Sequence, residues 1–73
     1  MNLISLVGNR VKFALLNWEN GKYIPAAYTA TVQGVDGTMV LMGNQKSFPT
    51  GEAVKKDTWV NTASQLFIYI QPI

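Results

Sequence analysis

The chain has 73 residues, none of them Cys or His, and only 14% are charged against 48% hydrophobic. Without Cys and His it has no disulfides, none of the usual zinc ligand sets, no Cys/His nucleophile pair and no imidazole base. Its balance of +2 is compatible with nucleic acid yet far from a strongly basic footprint.

Residues 1–8 place Leu3, Leu6 and Val7 at i, i+3, i+4 between Asn2, a helix N-cap type, and Gly8, a stop. This predicts one or two turns of amphipathic helix. Residues 10–16 alternate Val11, Phe13 and Leu15 against Lys12, Ala14 and Leu16, the period of a strand. Residues 17–21 end in Asn20-Gly21, the pair that tolerates the positive φ of a type I′ hairpin. A long second strand follows over residues 22–35. It has Ala26, Tyr28, Ala30 and Val32 on one face and Ala27, Thr29, Thr31 and Gln33 on the other. Pro25 belongs at an edge of that strand, and Gly34 invites a bulge or bend.

Asp36-Gly37 marks a second hairpin turn, and residues 38–42 form a third strand, apolar on both faces and therefore central. Residues 43–57 carry two Gly, one Pro, three Lys and two acids. Fifteen structureless residues are unusual in a small domain, so this stretch is expected to extend the flanking strands and end in a mobile tip. Lys46, Lys55 and Lys56 read as a solvated loop face. Residues 58–61 form a short fourth strand, residues 62–64 a turn, and residues 65–71 a fifth strand. There Leu66, Ile68 and Ile70 oppose Phe67 and Tyr69.

These elements predict one all-β domain over residues 1–73: a short N-terminal helix and a strongly bent five-stranded, SH3-like barrel in meander order. No apolar run approaches the ~18 residues of a membrane span. The first residues lack a positive segment and are too short for a secretory signal, so an intracellular, cytoplasmic location is expected. A domain this small buries only about three-fifths of its unfolded surface. So apolar a chain has more greasy surface than one copy can hide, and strands three and five are apolar on both faces. The expected remedy is a homo-oligomer closed head to tail through edge strands, with Trp59, Phe67 and Tyr69 as candidate interface residues. The alternative is that residues 43–57 and the N-terminal segment fold back over the patch.

At this point order and residues resemble the Sm-like/Hfq superfamily. Its first motif runs small-x-hydrophobic-x-Gly-hydrophobic-Asp-x-x-Met-Asn-hydrophobic, and residues 30–42 (ATVQGVDGTMVLM) follow it without a gap. Arg10-Val11-Lys12-Phe13 and Asn20-Gly21-Lys22 are similar to the family's first strand and hairpin. Val60-Asn61-Thr62-Ala63-Ser64 lies where its second motif falls. The resemblance implies an Sm-like barrel, a ring of about five to seven copies, and single-stranded RNA held by two loops near the pore. Those loops carry Asp36, Gly37, Thr38 and Met39 in one and Asn61 and Thr62 in the other. Asn61 would hydrogen-bond a base edge, and Met39 or a Tyr would supply a stacking surface. Two departures bear on that pocket. The family's base-contacting Asn falls on Val40, and its basic second motif falls on Asn61-Thr62. The alternative reading is a structural or protein-interaction ring that touches no nucleic acid.

Catalysis is not expected. Glu19, Asp36, Glu52 and Asp57 are scattered over turns, which predicts neither an acid/base pair nor a metal cage, and no cofactor is implied. Gly34-x-x-Gly37 lies in a hairpin, not between a strand and a helix, so it is no phosphate loop.

Overall fold

The computed structural model of the protein describes residues 2–54 and 56–73; Met1 and Lys55 lie outside the described residues. A 3-10 helix, η1 (Leu3–Leu6), precedes β1 (Arg10–Glu19), β2 (Lys22–Asp36), β3 (Met39–Phe48), β4 (Thr58–Asn61) and β5 (Phe67–Pro72). All pairings are antiparallel, in the order β4-β3-β2-β1-β5, and the sheet curls into a half-barrel. The all-β reading holds. The helix is a single tight turn: the Asn2 side chain caps it by accepting from the Ile4 amide at 3.1 Å. Backbone bonds from Gly8 to Val32 and from Val32 to Asn9 then pull the chain onto β2 before a second turn can form.

Both hairpin turns follow their residue chemistry. Asn20 (φ 50°) and Gly21 (φ 80°) supply the two positive φ values of a type I′ turn, closed by Glu19 opposite Lys22. The second turn lies one residue later than expected. Asp36 pairs with Met39, so Gly37-Thr38 is the loop, and Gly37 (φ 61°) takes the first central position that a type II′ turn reserves for Gly.

Two irregularities bend β2 against β3. Between Val32 and Gly34, two steps of β2 oppose one of β3, which leaves Gln33 as the extra residue, beside the predicted glycine. Between Thr29 and Thr31 the surplus is on β3, at Asn44 (φ 48°) and Gln45. Such bulges sharpen twist and curl. The stretch over residues 43–57 extends β3 as expected: β3 runs on to Phe48, and residues 52–54 double back on it. Lys46 bridges Ala53, the Ser47 amide bonds the Glu52 carbonyl, and the Val54 amide bonds the Gln45 carbonyl. Lys46 and Lys56 are exposed, as expected for a solvated loop face, whereas Lys55 lies outside the described residues.

Leu6, Val11, Phe13, Ala30, Val32, Val40 and Met42 form the core inside the curl, and Leu15, Tyr28, Val60, Phe67 and Ile70 pack around it. Phe13 and Tyr28 stack with centroids 5.4 Å apart, which joins β1 to β2 on the inner face. The predicted alternation on β1 and β2 therefore holds. On β5 it does not: a bulge against Ala14/Leu15 turns Phe67 and Ile70 to the same inner face, while Tyr69, opposite Ala14, is outward. Among the described residues nine large apolar side chains stay exposed against eight hydrophobic residues buried, so the fold leaves much of its greasy surface uncovered. Among the described residues no helix is long and apolar enough to cross a membrane.

Candidate functional site

The sheet has two free borders, β4 and β5. Between them opens an apolar cleft of about 340 Å³, lined by Leu15 and Leu16 of β1, Trp59 and Val60 of β4, and Leu66 and Phe67 at the start of β5. Hydrogen-bond alternation shows what each border offers. The Ile73 amide bonds the Arg10 carbonyl, so this pair is of the bonded kind, and every second pair toward the bulge matches it. Gln71 and Tyr69 thus spend their backbone groups on β1, while Ile70 turns its N–H and C=O outward. Pro72 brings no donor. On β4, the Thr62 amide bonds the Thr38 carbonyl at 2.9 Å, which places Val60 and Thr58 on the β3 side. Trp59 and Asn61 then present their backbone groups to the free border.

Of the three interface candidates, Trp59 is half exposed (50%). Its ring lies over Leu41 and Gly34 on the outer face, and a Cβ on Gly34 would meet Trp59 Cη2 at 3.8 Å. Tyr69 is half-buried on the same outer face at the opposite border. Phe67 differs: it packs on the core side. Leu66, Ile68 and Ile73 add exposed apolar surface beside β5.

The six loop residues do come together. Met39 pairs with Asn61, the Thr38 hydroxyl donates to Asn61 Oδ1 at 2.9 Å, and the Thr62 hydroxyl donates to the Thr38 carbonyl at 2.8 Å. Asn61 Oδ1 also accepts from the Ala63 amide at 3.0 Å. A backbone N–H can only donate, so that bond fixes the amide's orientation and leaves Nδ2 as the group Asn61 can offer a ligand. Asp36, Gly37 and Thr38 are exposed at the rim of this cluster, Met39 and Thr62 half-buried. The cluster contains a carboxylate and no cation. It offers hydrogen bonds and an apolar thioether but no charge to hold a phosphate.

Sequence reasoning passed over Gln45. The residue is 6% exposed, and its Nε2, with two hydrogens to donate, lies within bonding distance of three acceptors: the Thr58 hydroxyl at 2.7 Å, the Met42 carbonyl at 3.1 Å and, most distant, the Lys56 carbonyl at 3.4 Å. This one amide ties the bulge of β3 to the start of β4 and so sets one wall of the cleft. A polar residue in an apparent loop gave no sign of burial; the available signal was Asn44 before it, a residue that tolerates the left-handed conformation a bulge uses. Among the described residues no three His, Cys, Asp or Glu side chains gather as a metal site would require. Compared with known proteins, the chain matches no family model, no curated sequence and no solved structure.

Proposed function

We propose that this chain is an Sm-like module that assembles into a homo-oligomeric ring and binds single-stranded RNA at the loop cluster. The observation that carries the proposal is that one curled sheet ends in two unpaired borders flanking an apolar cleft. Pairing the β4 of one copy with the β5 of the next satisfies the outward groups of Trp59, Asn61 and Ile70. It also covers exposed Leu66 and Ile68, and repeats head to tail until the rotation closes. Assembly places one copy of the Asp36, Gly37, Thr38, Met39, Asn61 and Thr62 cluster per subunit around the ring. Weak contacts to successive bases then add by effective concentration.

Two measurements test this. Sedimentation at micromolar concentration is expected to give a mass several times the 8.1 kDa of one chain; a monomer overturns the ring. Titration with labelled oligo-U and oligo-A at two salt concentrations is expected to give a complex that weakens as salt rises. Assembly with no complex at low salt supports the structural ring in its place.

A further inference from the structure

Register places three of the six cations together on the outer face, away from the loop cluster. Lys46 of β3 pairs with Thr29 of β2, Thr29 with Lys12 of β1, and Lys12 with Gln71 of β5, forming one row across four strands. In the next row Arg10 pairs with Thr31. Arg10 is fixed there by three neutral acceptors: the Thr31 and Thr29 hydroxyls at 3.1 and 2.9 Å and the Asn44 carbonyl at 2.9 Å. Its charge is positioned without being neutralised, and two of its five N–H donors are left over. Lys12 Nζ sits 3.8 Å from the centroid of the Phe48 ring, which holds the ammonium in place without a counter-charge. The acids lie elsewhere. Glu19 is at the hairpin end and Asp36 at the far end of β2, Asp57 precedes β4, and Glu52 lies in the return after β3, where its carbonyl accepts from the Ser47 amide.

We propose that this outer face, through Arg10, Lys12 and Lys46, binds the phosphodiester backbone of single-stranded RNA. The inference rests on the RNA reading above and supplies the charge that the loop cluster lacks. Lys12 and Lys46 stand two strand spacings apart, about 10 Å, and Arg10 lies two residues along β1 from Lys12, about 7 Å. Cations of one sign in steps of this size, with the Tyr69 ring in the adjoining row and the Gln71 amide in the same row, form a path for phosphates with a platform for a base. An anionic membrane surface fits less well. It favours apolar side chains standing proud of the cations, and the ring nearest the cations, Phe48, lies beneath the Lys12 ammonium rather than beyond it.

The test is fluorescence anisotropy with labelled oligo-U and oligo-A over a salt series, using the full chain, Lys12→Gln/Lys46→Gln, and Asn61→Ala, each checked for fold by circular dichroism. Each phosphate contact on a single strand contributes about 0.7 to the slope of log K against log salt. The double variant is expected to lower the slope by about 1.4 and to weaken binding about 25-fold at 0.1 M salt. Asn61→Ala is expected to weaken binding with the slope unchanged. Should Lys46→Gln alone, which leaves the Lys12–Phe48 contact intact, and the double variant both keep the parent slope, the outer face is not the phosphate path and the RNA reading survives. If the parent chain binds neither oligonucleotide, both proposals fall, and binding confined to vesicles of anionic lipid reassigns the face to a membrane surface.

Discussion

Replacing Ile70 by Pro separates the edge contact from the fold. The Ile70 N–H faces the free border of β5, so a proline there removes no bond of the β1–β5 ladder. Tyr69, the residue before it, is already extended, as a residue preceding proline must be. The side-chain change costs some packing, because Ile70 touches the core; Ile70→Ala matches that loss while keeping the N–H. What Ile70→Pro adds is the loss of an intermolecular donor and a ring that holds an incoming strand beyond the ~4.8 Å ladder spacing. A partner carbonyl left buried and unpaired costs about 1–3 kcal/mol. At about 2 kcal/mol, each contact weakens ~30-fold, and the proposed ring of about five to seven copies would take that loss at every joint. Sedimentation is therefore expected to show Ile70→Ala assembled and Ile70→Pro folded but monomeric, with folding read by circular dichroism. Tyr69→Pro, which breaks the bond to Ala14, is expected to unfold the chain. If Ile70→Pro assembles as Ile70→Ala does, edge pairing through β5 is wrong.

Other substitutions test the local arguments. Gln45→Ala removes a buried amide whose two N–H groups serve the Thr58, Met42 and Lys56 acceptors and is expected to cost about 1–3 kcal/mol, lowering the melting temperature by roughly 4–24 °C in calorimetry. Gly37→Ala forces a side chain into positive φ and is expected to destabilise by about 1–2 kcal/mol. Gly34→Ala places a methyl at ordinary contact distance from Trp59 and Leu41 and is expected to shift the denaturant midpoint little. The reverse ranking would refute the turn assignment. Phe13→Ala empties the centre of the core and is expected to cost about 3–5 kcal/mol, a large part of the ~4–11 kcal/mol a domain of this length has. Urea unfolding reads it, and a cost below about 1 kcal/mol would mean Phe13 is not the core residue its 1% exposure indicates.

Much of this fold is legible because local signals and tertiary demands coincide. Asn20-Gly21 needs positive φ and occurs where a turn supplies it; Val11, Phe13, Ala30 and Val32 sit at period two and all point inward. Legibility fails at the bulges. One extra residue reverses every face that follows it, so alternation read through residues 66–70 puts Phe67 opposite Ile70, whereas the insertion against Ala14/Leu15 brings both inside. The extension of β3 over residues 43–48 is legible, but its bulge is not. Asn44 and Gly43 look like loop residues until β2 lies beside them, with Gln33 flat across Gly43. Convergence of the 36–39 and 61–62 loops was readable from strand order, but the bonds that occupy Asn61 Oδ1 were not, because they depend on the pairing of Met39 with Asn61.

In the proposed ring the same bulges bear on where the ligand would run. With the faces counted through the bulges, Trp59 and Tyr69 share the outer face, at opposite borders of the sheet. Joining β4 of one copy to β5 of the next brings the Trp59 of one subunit to the border that carries the Tyr69 of its neighbour. In the proposed ring the row from Lys46 to Gln71 would end at the border that meets the β4 of the next copy. In such a ring a Trp59–Tyr69 pair would recur at each joint, between successive groups of Arg10, Lys12 and Lys46. A single copy has the cations and one ring at each margin; only neighbours complete the alternation of charge and aromatic surface that an extended single strand follows. On this proposal edge pairing and nucleotide binding are linked: the border that would hide excess apolar surface would also join the halves of the binding path. For that reason Ile70→Pro should weaken oligonucleotide binding although Ile70 touches none of its residues, and Lys12→Gln/Lys46→Gln should weaken it while leaving the mass of the assembly unchanged.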